Sequence, residues 1–298
     1  AGRRAGGGGV SDRPASGPPR GVEPPVRVKI TPEEARLIAE LIQDHCGVAL
    51  GGDAAFLLER RLAPRLDALS LQTYLEYFHV LAYDVGGPAE LAECVERVTT
   101  RETYFFREQF QLDGFQREIL PALIARRGAA ALTVWSAGCS TGEEAYTIAM
   151  LLAENARGGS RVIGSDISQR GVATAQQGIY GPSSFRTTPE PMRERYFEPV
   201  GAGTWRVREA IRRMCNFVPL NLLDTARYAE LGAVDAIFCR NVLMYLSTQA
   251  RRRIVEGFFE ALVPGGYLLL GHSESLISVS TRFDLVNLTT DLVYRKPG

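Results

Sequence analysis

From Ile30 to Val98 apolar residues recur every three or four positions, the period of helices that bury one face. Leu37, Ile38, Leu41 and Ile42 share one face of a first helix, with Thr31 as its N-cap, Pro32 in its first turn and Gly47 as its stop. A second helix is predicted from about Asp53 to Leu69, with Phe56, Leu57, Leu62, Leu66 and Leu69 on one side and Arg60, Arg61 and Arg65 on the other. Pro64 falls inside it and predicts a kink. Two further helices, at about 73–82 and 88–98, are separated by Gly86 and Gly87. The pattern predicts an all-α domain over residues 26–98. Residues 1–25, almost entirely Gly, Pro, Ser, Ala and Arg, hold too little apolar surface to offset ordering entropy, so a disordered tail is expected there.

After Leu132 the period changes. Short apolar runs at 132–136, 161–165, 236–239 and 267–270 alternate with helical stretches from Gly142, from Ser168 and after Ser247. Strands that alternate with helices pair in parallel through right-handed crossovers. The runs at 283–287 and 292–295 have no helix between them and predict a closing antiparallel pair. The reading is an α/β domain over 132–298, joined to the helical domain by a linker and connecting helix at 99–131. Between 179 and 218 the alternation breaks into clustered prolines, a charged helical piece near 192–196 and short runs at 205–208 and 216–218. That stretch exceeds an ordinary strand–helix connection, so an inserted β-subdomain is expected.

Composition narrows the function more than the fold. The chain has 298 residues, 45% of them hydrophobic and 23% charged, with a formal net charge of zero. A zero balance removes any global electrostatic case for nucleic-acid binding. No apolar run approaches the roughly 20 residues that a membrane span needs. Five cysteines lack any C-x-x-C pair, and no signal peptide is legible, so reduced thiols in a cytoplasmic protein are expected. His45, His79 and His272 sit at no metal-ligand spacing, and no metal is expected.

Five strings carry candidate chemistry. V-W-S-A-G-C-S-T-G-E-E-A-Y at 134–146 runs from a strand through a loop of small residues into a helix, where backbone N–H groups face a ligand. It lacks the G-x-G-x-x-G spacing of dinucleotide sites, and Glu143 and Glu144 stand where a pyrophosphate would bind. Those charges suit S-adenosylmethionine, which carries a sulfonium and an ammonium; alternatively both acids only complement the helix dipole. V-I-G-S-D-I-S at 162–168 places Asp166 at a strand's C-terminal end, to accept ribose hydroxyls or to cap the next helix with Ser168. D-A-I-F-C-R-N-V-L-M-Y at 235–245 ends an apolar strand in Arg240 and Asn241, at the sheet edge where open α/β folds bind ligands. G-H-S-E-S at 271–275 offers His272 as a base or as a structural hydrogen-bonding group. T-T-R-E-T-Y-F-F-R-E at 99–108 joins the two domains. Either Phe105 and Phe106 simply pack the interdomain seam, or Thr103 and Arg107 also close over a cofactor, with Arg107 on its carboxylate.

In this order F-F-R-E, S-T-G-E-E, S-D-I, F-C-R-N-V and G-H-S-E resemble the CheR-type chemotaxis-receptor glutamate methyltransferases, over residues 30–295. The resemblance implies a class I S-adenosylmethionine-dependent methyltransferase fold: a Rossmann-like, mostly parallel sheet with a terminal antiparallel pair, an N-terminal all-α domain and a small inserted β-subdomain. It implies a cofactor pocket of Arg101, Thr103, Arg107, Glu143, Asp166, Asn221, Leu222, Asn241 and Val242. Arg101 stands where the family often has Asn, and Ala145 where it usually has Pro. The implied reaction moves a methyl group to glutamate carboxylates on the cytoplasmic domains of methyl-accepting chemoreceptors, leaving S-adenosylhomocysteine.

A glutamate with a reference pKa near ~4.3 is already ionised at neutral pH, so no catalytic base is assigned. Arg240 and Tyr245 are expected on the acceptor side, orienting the carboxylate. Arg60, Arg61 and Arg65 would dock the acidic receptor bundle, or form a solvated face. The loop after Phe197 looks shorter than in members that hold a receptor's C-terminal pentapeptide, so tethering is not expected; nor are nucleic-acid binding and membrane insertion. Two other readings satisfy the same motifs. One is a class I methyltransferase acting on another protein or a small molecule, with His272 as base for an amine or hydroxyl. The other is a catalytically silent module that senses S-adenosylmethionine.

Overall fold

The computed structural model describes residues 28–100, 102–155 and 158–298; the expected tail over 1–25 and Arg101 lie outside them. Four helices open the chain: α1 (Pro32–Cys46), α2 (Ala54–Leu69), α3 (Tyr74–Tyr83) and α4 (Gly87–Val98). Capping boxes at Thr31/Glu34 and Thr73/Glu76 start α1 and α3 by satisfying N–H groups that have no intrahelical partner. Gly47, at φ 79°, ends α1 in the left-handed region, where a side chain is disfavoured. The helices share a core of Ile38, Ile42, Leu58, Leu62, Leu66, Tyr74, Tyr77 and Cys94.

Helix α2 differs from its sequence reading in its buried face. It buries the i, i+4 row Leu58, Leu62 and Leu66, which leaves Phe56 70% exposed and Leu69 at the surface. As expected, Pro64 lies inside the helix, and it sits on the solvent side.

The connection that follows is α5 (Gln109–Gly114), a π-helical turn at Phe115–Ile119 and α6 (Leu120–Arg127). Next come β1 (Thr133–Ala137), α7 (Glu143–Asn155), β2 (Arg161–Asp166), α8 (Gln169–Gln177) and β3 (Ile179–Tyr180). The inserted region continues with α9 (Glu190–Tyr196), β4 (Phe197–Gly201), β5 (Thr204–Val207) and α10 (Glu209–Arg212). The chain closes with β6 (Cys215–Pro219), β7 (Val234–Cys239), α11 (Thr248–Ala261), β8 (Leu262–Leu270), β9 (Asp284–Asn287) and β10 (Leu292–Arg295).

The main sheet runs β6-β2-β1-β7-β8-β10-β9, parallel as far as β8 and antiparallel thereafter. This is the α/β sheet that the alternation predicts. A separate antiparallel sheet, β3-β5-β4, forms the insert. The run at 216–218, read as part of the insert, is instead β6, paired in parallel with β2 at the edge of the main sheet. Two strands of the insert are missed by the sequence reading, the two-residue β3 and β4; Pro199 and Gly201 weaken the strand signal of β4, and its place at a sheet edge tolerates them.

Side chains alternate between the two faces of the main sheet, so Val134 joins one core and Trp135 the other. Phe105 and Phe106 are both buried in the first of these cores, with Phe105 packed on Tyr180, Phe185 and Phe197. They anchor the linker to the sheet domain and its insert, and the interdomain seam is made elsewhere. At that seam Ser247 N donates to Gly47 O at 2.8 Å and Ala49 N to Tyr245 O at 2.9 Å. A Cβ added to Gly47 would lie 2.6 Å from the Ala250 Cβ, so glycine also permits this close approach. Among the described residues no helix is long and apolar enough to cross a membrane.

Candidate active site

The helical domain and the C-terminal edge of the main sheet enclose a cleft of about 320 Å³. One wall comes from the turn after α1, from Leu57 and from the linker residues Thr99, Thr100, Glu102, Thr103, Tyr104 and Arg107; the other comes from the loops after β1, β2, β6 and β7. Of the residues expected at the cofactor, Thr103, Arg107, Asp166, Asn221, Leu222, Asn241 and Val242 all line this cleft. The fold brings them together because parallel strands present their C-terminal ends at one edge of the sheet.

Glu143 is the exception. It is 2% exposed and turned into the protein, accepting hydrogen bonds from the Thr141 hydroxyl at 2.6 Å and the Ser184 hydroxyl at 2.9 Å. Burial pushes its carboxyl above the ordinary range, against those two hydroxyls. Its neighbour Glu144 faces the cleft, held by the Ser136 hydroxyl at 2.7 Å and by Arg240 Nε at 2.8 Å. Adjacent helical residues point about 100° apart, so only one acid of the pair can face the ligand.

Asp166 ends β2 with its carboxylate gripped by two backbone donors, Ser140 N and Ser168 N, each at 2.8 Å. This fixes the small-residue loop after β1 against the start of α8, the second of the two roles weighed for Asp166. In that loop Gly138, at φ 82°, lies against Val242: a Cβ there would meet Val242 Cγ2 at 2.6 Å. Asn221 is anchored to the helical domain, with its Nδ2 donating to His45 O at 2.6 Å. Arg107 lines the cleft, and its guanidinium donates to the Glu102 carbonyl at 2.8 Å.

The two acceptor-side candidates separate. Tyr245 is 43% exposed and lines the cleft next to Leu246. Arg240 is instead a buried charge whose side chain is 2% exposed. It pairs with Glu144 and donates to Arg107 O at 3.0 Å and Gln111 Oε1 at 3.1 Å. Both residues line the cleft, but the Nε and Nη1 of Arg240 are committed to groups of the protein.

His272 is exposed, lies outside the cleft and touches the Phe110 ring edge. The acid of its motif does the structural work: Glu274 accepts from Asn241 N, Gly271 N and Met244 N at 2.7, 2.8 and 3.0 Å. Sequence reading missed Glu274, though it stands inside a motif that was singled out, and of the paired acids it carried Glu143 rather than Glu144 into the pocket.

The cleft suits S-adenosylmethionine by the chemistry of its lining. Glu144 and Arg107 present opposite charges, as a zwitterionic amino-acid end requires, and Ile167, Leu220, Leu222 and Val242 supply apolar walls. Ser140 Oγ and Asn241 Oδ1 are buried there without a protein partner, polar atoms that a ligand would satisfy.

The family model described as "CheR methyltransferase, SAM binding domain" matches residues 101–292, and "CheR methyltransferase, all-alpha domain" matches residues 33–99. Chemotaxis protein methyltransferase 1 of Pseudomonas aeruginosa is 33% identical over 267 residues, which cover 87% of this chain and 96% of that one. Chemotaxis protein methyltransferase 2 of Vibrio cholerae is 34% identical over 255 residues, covering 84% and 88%. The chemotaxis protein methyltransferase of Klebsiella aerogenes is 36% identical over 265 residues, covering 87% and 89%. Matched across both its helical and its cofactor-binding regions, the chain belongs to the CheR methyltransferases and is an S-adenosylmethionine-dependent methyltransferase.

Proposed function

We propose that the chain methylates glutamate side chains on the cytoplasmic domains of chemoreceptors, forming γ-glutamyl methyl esters. One observation carries this reading. Among the described residues the cleft is lined by Glu144 and Arg107, opposite charges for a zwitterionic cofactor, and by no histidine or lysine, while its acids Glu144 and Asp166 already accept from Arg240 and from Ser140 N and Ser168 N. A carboxylate acceptor needs no base, whereas an amine or hydroxyl does. The chemotaxis protein methyltransferases that the chain matches support the same acceptor.

When bound, S-adenosylmethionine supplies an electrophilic methyl group on a sulfonium. In this reading Arg107 and Thr103 hold the carboxylate of its amino-acid end and Glu144 its ammonium. Asp166 accepts from the ribose with the lone pairs that Ser140 N and Ser168 N leave over. Asn221 and Leu222 border the base, while Asn241 and Val242 close the wall opposite Asp166. Tyr245, at the rim, orients the acceptor carboxylate. The helical domain roofs the cleft and excludes water, which matters where opposite charges are neutralised in the transition state.

Receptor docking falls first to Arg60, which is exposed on α2. Arg61 and Arg65 contribute less, because Arg61 donates to Arg97 O and Arg65 is paired with Glu90. The β4–β5 hairpin turns through Ala202 and Gly203 alone, which supports an enzyme that is not tethered by a receptor pentapeptide. A cytoplasmic location follows from such an acceptor.

The test incubates the full chain with methyl-labelled S-adenosylmethionine and a receptor cytoplasmic fragment, with and without its terminal pentapeptide. Label on the receptor, released as methanol by mild base at equal rates for both fragments, is the expected result. Base-stable label would overturn the glutamate ester, and a rate that depends on the pentapeptide would overturn the untethered reading.

A further inference from the structure

Arg240 is the most heavily committed buried charge beside the cleft. Its side chain is 2% exposed, yet it touches two segments that approach from different directions. Nε donates to Glu144 Oε2 at 2.8 Å, on α7. Nη1 donates to the Arg107 carbonyl at 3.0 Å and to Gln111 Oε1 at 3.1 Å, in the linker and α5, with Glu108 Oε2 at 3.7 Å. A buried ion pair is a poor source of stability, since apolar packing of equal volume often does as well. What one planar guanidinium supplies is geometry, because its donors leave at fixed angles.

The two residues it bridges, through the Glu144 carboxylate and the Arg107 main-chain carbonyl, are those that the proposed reading sets against the opposite charges of the cofactor's amino-acid end. Glu144 is the cleft's acid on α7, and Arg107 is its cation on the linker. The backbone around this bridge is held in an uncommon conformation. Phe106, Glu108 and Asn241 have φ of 58°, 55° and 58°, and side chains adopt that region only when their surroundings impose it. Glu108 and Asn241 flank the guanidinium and are joined by Asn241 Nδ2 donating to Glu108 Oε1 at 3.3 Å.

We propose that Arg240 is a positioning residue that sets the spacing between Glu144 and Arg107, and through it the affinity for the amino-acid end of the cofactor. The proposal rests on the reading of those two residues given above. It assigns Arg240 no contact with the acceptor and no part in moving a proton. Its consequence is selectivity: ligands that carry the zwitterionic end depend on Arg240, whereas ligands that carry only the adenosine do not.

The experiment measures binding by calorimetry on the full chain, using S-adenosylhomocysteine and methylthioadenosine, which has the adenosine and thioether without the amino-acid end. The variants are Arg240→Lys, which keeps the charge but cannot span both partners, and Arg240→Met. Arg240→Lys is expected to weaken S-adenosylhomocysteine about tenfold or more, about 1.4 kcal/mol, and to leave methylthioadenosine within about twofold. Glu144→Gln, made separately, is expected to show the same selective loss. Equal losses for both ligands would indicate a merely structural arginine and overturn the proposal, as would unchanged binding of S-adenosylhomocysteine. Should the unmodified protein fail to bind S-adenosylhomocysteine, the cofactor reading itself fails, and that is seen before any variant is measured.

Discussion

The carboxylate of Glu96 in α4 accepts a 2.8 Å hydrogen bond from the hydroxyl of Ser168, the N-cap of α8. It also accepts from Arg170 N at 3.1 Å, so an acid of the helical domain sits on the positive end of a helix in the sheet domain. Ser168 N in turn donates to Asp166. Removing Glu96 leaves buried donors without an acceptor, at a cost of about 1–3 kcal/mol. Glu96→Ala is therefore expected to lower the melting temperature and to weaken S-adenosylmethionine several-fold through Asp166. Calorimetry reads both, and unchanged cofactor affinity would sever the proposed link.

Glu143 predicts a pH dependence. Burial raises its carboxyl above the ordinary 4.5, so the folded state binds this proton more tightly than the unfolded chain does. Its contribution to stability is then complete below 4.5 and is lost as pH rises through the raised value. Glu143→Gln keeps hydrogen-bonding groups for Thr141 and Ser184 but does not titrate. The difference in melting temperature between variant and parent should shift in the variant's favour from pH 4.5 upward. A difference that stays flat with pH would contradict the buried, raised carboxyl.

The arginines of α2 should divide by partner. Arg65 Nε donates to Glu90 Oε1 at 2.8 Å, and the Tyr77 hydroxyl donates to the same oxygen at 2.7 Å. Arg65→Ala is expected to destabilise the protein by about 1–3 kcal/mol, since it strips a partly buried carboxylate of its cation. Arg60→Ala should leave stability within about 0.5 kcal/mol. It should instead lower kcat/KM for the receptor at low salt, with the difference fading as salt is added. Identical salt profiles for parent and variant would remove Arg60 from the docking face.

Phe105 holds the β-subdomain to the linker, with ring centroids 4.8 Å from Phe197 and 4.9 Å from Tyr180. Truncation to alanine empties this contact and is expected to cost about 3–5 kcal/mol. Limited proteolysis should then cut faster within residues 179–218 than elsewhere. Uniform cutting along the chain would mean that the ring stabilises the fold without specifically securing the insert.

Much of the fold was legible because its signals are local. Thr31, Pro32 and Gly47 mark both ends of α1 within the residues next to them. The strand runs that become β1, β2 and β7 needed only apolar stretches bounded by small or polar residues. The insert was harder. Pro199 hid β4, and nothing local told the run at 216–218 that its partner was β2 in the main sheet. Phe105 and Phe106 likewise announce burial without saying in which core.

The same division runs through the site. The resemblance to the CheR-type family implied a shared pocket for Thr103, Arg107, Asp166, Asn221, Leu222, Asn241 and Val242, and the structure lines one cleft with them, because the C-terminal ends of parallel strands meet at one edge of the sheet. The sequence could not say which of Glu143 and Glu144 faces the cleft, nor that Arg240 bridges two segments. Both depend on the rotation of a helix about its axis and on the approach of chain more than 90 residues away, as between Arg240 and Glu144. Periodicity names the elements, but only their packing against one another decides which side chain is buried and which is presented.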